Sequence, residues 1–153
     1  MDLQLGENHV RVQLAGIRFT SKLIDGRFPE YERVIPQDSS NEITADREAL
    51  RGALQRTAIL SNEKYRGIRL IIRDSGVVMQ AHNPEQDEAE EEMEVDYDGA
   101  EMTIGFNVGY LLDVLSVLDG DDVQIAVIDS NSSSLITQKE SVECRYVVMP
   151  MRL

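Results

Sequence analysis

The strongest constraint on the fold is an internal repeat that begins near residue 41. When the chain is shifted by 61 positions, an isoleucine, a potential helix N-cap and two leucines in the first half coincide with their counterparts in the second. The matched pairs are Ile43 with Ile104, Asp46 with Asn107, Leu50 with Leu111, and Leu54 with Leu115. Each half has the pattern of a strand, a helix and three strands. The sequence therefore predicts a duplicated βαβββ unit with two helices packed on antiparallel sheet, an α+β fold.

The two predicted helices differ in their surfaces. The first follows its N-cap Asp46 and runs to about Thr57. Its apolar face comprises Leu50, Ala53, Leu54 and Thr57, and beside that face lie Arg47, Arg51, Gln55 and Arg56. This basic face is either a solvated helix surface or a binding surface. The second helix, residues 108–118, is apolar almost all round, with a narrow polar strip of Gly109, Asp113 and Ser116, which predicts burial over most of its girth.

Alternating apolar residues and turn residues place the strands. A tight turn at Ala15–Gly16 joins the first two. Residues 25–40 contain two prolines, a glycine and two serines, which predict a linker with a possible domain boundary inside it. The predicted strands are 10–14, 17–24, 66–74, 76–83, 92–99, 100–106, 123–130, 133–137 and 144–149.

Composition narrows the class of protein. The net charge of -13 argues against a protein that holds nucleic acid by positive charge alone. The single cysteine, Cys144, excludes an internal disulfide and is typical of a reducing compartment. There is no signal-peptide pattern, and no apolar run approaches the roughly 20 residues of a membrane span. We expect a cytoplasmic, acidic domain.

The last eight residues, YVVMPMRL (146–153), are unusually apolar for a chain end. Their period of two places Val147, Met149 and Met151 on one side and Val148, Pro150 and Arg152 on the other. Two interpretations remain open at this point. Either a neighbouring segment covers the apolar row, or the row lines a groove for a peptide, to which flexible methionine side chains are well suited.

The sequence does not predict an enzyme. His9 and His82 are far apart in the chain, and with one cysteine they give no metal-ligand spacing. The acidic string DGDD (119–122) is explained by a turn between helix and strand. Neither a phosphate-binding loop nor a nucleophile elbow is present, so we predict no catalytic residues, no metal and no cofactor.

Several long strings, taken together, resemble one known family. They are FTSKLIDGRFPEYERVIP (19–36), AILSNEKYRGIRL (58–70), NPEQDEAEEE (83–92), GAEMTIGFNVGYLLDVL (99–115) and YVVMPMRL. They resemble, in order and over nearly the whole chain, the C-terminal two-fifths of the bacterial DNA polymerase III beta subunit, the sliding clamp. The resemblance implies that residues 1–31 form the last strands of the clamp's second domain with its linker, and that residues 32–153 form the third domain.

The resemblance implies a non-catalytic processivity factor for DNA replication, part of the DNA polymerase III holoenzyme. Family members form a head-to-tail homodimeric ring around double-stranded DNA and slide without reading bases. Their hydrophobic peptide-binding pocket, beside the C-terminus, receives the polymerase III catalytic and clamp-loader subunits, other polymerases and repair proteins. The alternative is a truncated, clamp-like acidic module that competes for clamp-binding peptides or a clamp face without forming a ring.

The resemblance also implies three sets of site residues. The deep part of the peptide pocket is similar to Pro29, Val34, Val147 and Met149, and the shallow part to Asn107, Tyr110, Asn131, Ser133, Met151 and Arg152. Asn131 replaces a small apolar residue of the family, which implies a more polar wall. The DNA-binding residues would be Arg33, Arg47, Arg51 and Gln55. The ring interface would comprise Ile59, Leu60, Asp87, Glu88, Glu90 and Glu91.

Overall fold

The computed structural model describes residues 1–26, 30–36, 41–139 and 141–153. Two compact units divide the chain, Met1–Glu30 and Tyr31–Leu153. Within the described part of the chain, no helix has both the length and the apolar character needed to cross a membrane.

The first unit is a three-stranded antiparallel sheet in the order β1-β2-β3. Its strands are β1 (Asp2–Leu5), β2 (His9–Leu14) and β3 (Ile17–Lys22). The predicted tight turn between β2 and β3 is confirmed, because Ala15 and Gly16 have φ angles of 44° and 86°, as a two-residue hairpin of this kind requires. The sequence missed β1, whose four residues are too few to establish an alternating pattern.

The second unit contains both copies of the repeat. A short 3-10 helix, Tyr31–Arg33, precedes them. The first copy comprises β4 (Asn41–Asp46), α1 (Arg47–Ala58), β5 (Gly67–Arg73), β6 (Gly76–His82) and β7 (Glu88–Glu94). The second comprises β8 (Met102–Asn107), α2 (Val108–Val117), β9 (Asp122–Val127), β10 (Ser134–Gln138) and β11 (Ser141–Val148). The predicted duplication of a βαβββ unit is therefore confirmed.

The two copies exchange their first strands. One sheet has the order β11-β10-β9-β4 and the other β7-β6-β5-β8, so β4 and β8 each join the sheet of the other copy. The pairing follows a pseudo-twofold relation, since Ile43 lies opposite Ile125 and Ile104 lies opposite Leu70. Both sheets and both helices contribute to one continuous apolar core.

Equivalent hydrogen bonds begin the two helices. The Arg47 N–H donates to the Asp121 carbonyl at 2.8 Å, and the Val108 N–H donates to the Arg66 carbonyl at 2.8 Å. The N-caps also match, because the Asp46 carboxylate accepts from the Ala49 N–H and the Asn107 side-chain oxygen from the Gly109 N–H. The predicted buried face of α1 is confirmed: Leu50, Ala53, Leu54 and Thr57.

Some sequence expectations were wrong. Helix α2 is not buried over most of its girth, because Tyr110 and Val117 are exposed together with Asp113 and Ser116 of the polar strip. The strand expected at 92–99 is β7 at 88–94, which coincides with the acidic run. Its glutamates at 88, 90, 92 and 94 are exposed, whereas Ala89, Glu91 and Met93 are half-buried against the core side. The last strand ends at Val148, and residues 149–153 form an irregular tail.

Candidate functional site

The tail, residues 149–153, continues from β11 at the edge of one sheet to β8 at the edge of the other. The Met151 N–H donates to the Gly105 carbonyl at 2.8 Å. A shift of 61 positions relates Gly105 to Thr44, which exchanges two backbone hydrogen bonds with Asp96, at 2.9 and 2.8 Å. The tail is thus the second copy of the segment that follows β7, and it closes the second seam between the sheets.

Two glycines allow the tail to lie close to the sheet. A Cβ atom at Gly105 would overlap the Met151 carbonyl oxygen and would lie 2.9 Å from Leu153 Cδ1. A Cβ atom at Gly67 would overlap Leu153 Cδ2. Sequence reasoning did not assign either glycine a role. They lie on neighbouring strands, β5 and β8, two positions apart in the register. This proximity could have identified them, but only if the strand order were known.

Part of the predicted deep pocket lies where β10 and β11 meet residues 31–36. Val147 is half-buried opposite Leu135, whereas Met149 is 59% exposed. The Ser133 hydroxyl donates to the Val34 carbonyl at 2.5 Å, which holds the exposed Val34 beside the start of β10. Pro29 lies outside the described residues. The structure therefore presents an exposed methionine beside a half-buried valine, as an apolar ligand site requires.

The predicted shallow part surrounds the start of α2 and the tail. Tyr110 is 58% exposed on the first turn of α2, and Asn107 caps that helix while its side-chain amide donates to the Tyr65 carbonyl at 3.3 Å. Met151 is half-buried and Arg152 is exposed. Asn107 therefore contributes to the architecture, and Tyr110 and Arg152 remain accessible to a ligand.

Asn131 belongs to a tight loop before β10. The Asp129 carboxylate accepts hydrogen bonds from the N–H groups of Asn131 and Ser132, at 2.7 and 2.8 Å, and from the Ser132 hydroxyl at 3.0 Å. These hydrogen bonds, of which that from Asn131 contributes most, lower the pKa of the Asp129 carboxyl below its ordinary value. These hydrogen bonds connect the residues of the loop that leads to Ser133.

The four predicted DNA-binding residues are not equally accessible. The Arg47 side chain is only 17% exposed and donates to the Gly120 and Leu115 carbonyls at 2.7 and 3.1 Å, so it caps the C-terminal turn of α2. Arg51 is half-buried and pairs with Glu48 at 3.3 Å. Gln55 and Arg33 are exposed. The structure thus places the partly buried Arg47 against the end of α2 and the other three near solvent.

The residues predicted for a ring interface occupy the end of α1 and the edge strand β7. Ile59 is 78% exposed and Leu60 half-buried. Asp87, Glu88 and Glu90 are exposed. Glu91 points to the other side of β7 and accepts two hydrogen bonds from Arg56, at 2.8 and 2.7 Å, which lower the pKa of its carboxyl. An edge strand with a row of carboxylates can pair only with a complementary surface.

The described side chains do not indicate a metal-binding site. Among the described residues, no three His, Cys, Asp or Glu side chains are grouped so that they could hold a metal ion. His82 lies 3.2 Å from Glu88, and Cys144 is exposed on β11.

Comparison with known proteins gives consistent matches. A family model described as DNA polymerase III beta subunit, C-terminal domain, matches residues 32–152. The beta sliding clamp of Pseudomonas putida KT2440 is 53% identical over 153 residues, which are 100% of this chain and 42% of that protein. The Escherichia coli K12 beta sliding clamp is 49% identical over 151 residues, 99% of this chain and 41% of that protein.

Solved structures show the same relation. A crystal structure of the DNA polymerase III subunit beta from Pseudomonas aeruginosa superimposes with a TM-score of 0.87 at 52% identity, covering 99% of this chain and 42% of that one. The pol III beta of Caulobacter crescentus gives a TM-score of 0.88 at 38% identity, covering 99% and 41%. The chain thus spans about two fifths of the length of the relatives that it matches.

Proposed function

The chain belongs to the DNA polymerase III beta subunit family of sliding clamps, and from that premise we propose that it serves DNA replication as the C-terminal part of a clamp. In this proposal the complete ring encircles duplex DNA without sequence specificity and acts in the cytoplasm. It catalyses no reaction and tethers the enzymes that do. We assign residues 1–31 to the clamp's second domain and residues 32–153 to its third.

The observation that carries the proposal is the exposed apolar surface at the tail. Met149 and Tyr110 are both more than half exposed, although fully burying such a side chain contributes about 1.5–3 kcal/mol. These two exposed apolar side chains, with the half-buried Val147 near the end of β11, favour a docking surface for a hydrophobic peptide. The partners in this proposal are polymerase III catalytic and clamp-loader subunits, other polymerases and repair proteins.

For the DNA-facing surface we propose Arg51, Gln55 and Arg33, and not Arg47. Contacts to phosphates alone would be blind to sequence. The Arg47 guanidinium is held by two carbonyl oxygens at the end of α2, so we propose that it supports the position of the helices instead. The net charge of -13 limits tight phosphate binding, which suits a protein that must slide.

For ring closure we propose that Ile59 and Leu60, with Asp87, Glu88 and Glu90, meet another clamp subunit. The exposed Ile59 supports an apolar centre, and the carboxylates of β7 support a basic complement on the partner. Glu91 would take part only through Arg56, because its carboxylate is already paired.

The peptide proposal is tested by removing residues 149–153. The buried Val148 and the whole of β11 remain, so we expect the fold to persist, measured by urea unfolding followed by circular dichroism. Binding of the C-terminal peptide of a polymerase III catalytic subunit, measured by fluorescence anisotropy, should weaken by at least about tenfold, as expected for loss of a central anchor. The control is Val117→Ala, which shortens an exposed apolar side chain at the far end of α2. Equal peptide affinity in the deletion and the intact chain would refute the docking surface.

A further inference from the structure

A cavity lies beside the tail, on the solvent side of the sheet that contains β5 and β6. Its volume is about 550 Å³, and the side chains around it include Tyr65, Arg69, Gln80, His82, Met151 and Arg152. At the sheet side of this cavity Leu153 packs over Gly67, which carries no side chain there. Neither the sequence nor the resemblance assigned these residues of β5 and β6 a role together.

The charges around the cavity are unlike those of the rest of the chain. None of the described side chains that line it carries a carboxylate, although the whole chain has a net charge of -13. Arg69 and Arg152 line it, and within the described part of the chain neither forms an ion pair or a side-chain hydrogen bond. The arginines of α1 differ, because Arg47, Arg51 and Arg56 all have partners. Two unpaired guanidinium groups at one cavity favour an anionic ligand with planar oxygens.

Two glutamates of β7 contact side chains that line the cavity, and Glu90 keeps its negative charge because its partner there is a neutral amide. The Gln80 side-chain amide donates to Glu90 at 2.7 Å, and the His82 ring lies 3.2 Å from Glu88. Both glutamates belong to β7, so they bound the cavity on the side away from the tail. An anionic ligand therefore meets the least repulsion when it enters from the side of Tyr65 and Arg152.

The cavity adjoins the proposed peptide site, because Met151 and Arg152 belong to both. We propose that it binds aspartate or glutamate side chains that flank the hydrophobic segment of the partner peptide, with Arg69 and Arg152 as the carboxylate-binding groups. This inference rests on the proposed peptide docking. The hydrophobic segment occupies the surface at Met149 and Tyr110, and the acidic flank turns over the tail into the cavity.

The test uses the full chain and two peptides. Both contain the C-terminal segment of a polymerase III catalytic subunit; one is extended at each end by two aspartates and the other by two asparagines. At low ionic strength the acidic peptide should bind about fivefold more tightly, the range of a partly exposed charge pair, and the difference should shrink in 0.5 M salt, where the screening length is only a few ångströms. Affinities are measured by fluorescence anisotropy.

The matched variants are Arg69→Gln and Arg73→Gln. Both arginines alternate onto the same face of β5, about 13 Å apart along the strand, and only Arg69 lines the cavity. Arg69→Gln should remove the preference for the acidic peptide, whereas Arg73→Gln should keep it. Equal affinities in the unchanged chain, a preference that survives Arg69→Gln, or an equal loss in both variants would overturn the inference alone. Failure of both peptides to bind would overturn the peptide docking and this inference with it.

Discussion

Substitution of Gly105 by alanine should detach the tail while leaving both sheets intact. Gly105 is central in β8, and its backbone is not in the left-handed region that favours glycine, so alanine is compatible with the strand itself. The new Cβ would overlap the Met151 carbonyl oxygen, which belongs to the backbone and cannot rotate away. The tail must therefore move, and the hydrogen bond from the Met151 N–H to Gly105 would be lost.

The size of the effect follows from the contacts that hold the tail. The hydrogen bond contributes about 1 kcal/mol. Leu153 is 55% exposed, so roughly half of its side chain is buried, which contributes about another 1 kcal/mol. In the alanine variant the docked tail would then be about 2 kcal/mol less favourable relative to the undocked tail. Peptide affinity should fall by up to about thirtyfold, because only molecules with a docked tail bind the peptide. Global stability should fall by only about 1 kcal/mol, since alanine also restricts the unfolded chain.

Two measurements separate the tail from the fold. Amide hydrogen exchange at Met151 reports the lost hydrogen bond, and urea unfolding reports global stability. The matched control is Gly76→Ala in β6, where a Cβ atom would lie 3.7 Å from the Met93 carbonyl oxygen, an ordinary contact. If Gly105→Ala leaves the exchange rate of Met151 and the peptide affinity unchanged, the tail is not held by the sheet in the way described.

Two further outcomes are expected. Replacing Ile59 and Leu60 together by alanine should weaken pairing with a full-length clamp subunit in sedimentation experiments, with little change in folding stability because Ile59 is exposed; an unaltered complex would place the interface elsewhere. The lowered pKa of Glu91, due to its hydrogen bonds from Arg56, means that its contribution to stability is present above its unfolded pKa of about 4.3 and is lost as the pH falls through the lower folded value. Glu91→Gln should therefore be less stable than the unchanged chain at pH 7 in urea unfolding, with the difference vanishing in strong acid; a difference that stays constant down to pH 2 would contradict the pairing.

The duplication could be predicted because its signals are local. The caps Asp46 and Asn107, and the leucines that follow them at helical spacing, depend only on neighbours in the chain. The exchange of β4 and β8 could not be predicted, because periodicity identifies a strand but not the sheet that it joins. The position of β7 was also hidden, since glutamates on its outer face obscure the alternation with Ala89 and Met93.

The candidate site was predictable only in part. The alternation in residues 146–153 and the resemblance to the clamp family directed attention to the tail, but not to the glycines against which it packs. Arg47 has the sequence context of a solvent-facing residue at a helix start. Its burial depends on the end of α2, about 70 residues further along, which the repeat alone does not place beside it. Long-range proximity of this kind has no signature in local spacing.

The exchange of first strands also determines the order in which the domain can be completed on the ribosome. Strand β5 is synthesised well before β8, its partner at 102–107, and β4 must wait until residues 122–127 have emerged. Until then the nascent first half has open edges on both strands, where another chain could pair. Strand β7 is the outer edge of the sheet that is synthesised first. Its exposed carboxylates repel the same edge of another nascent chain, which disfavours pairing between the two.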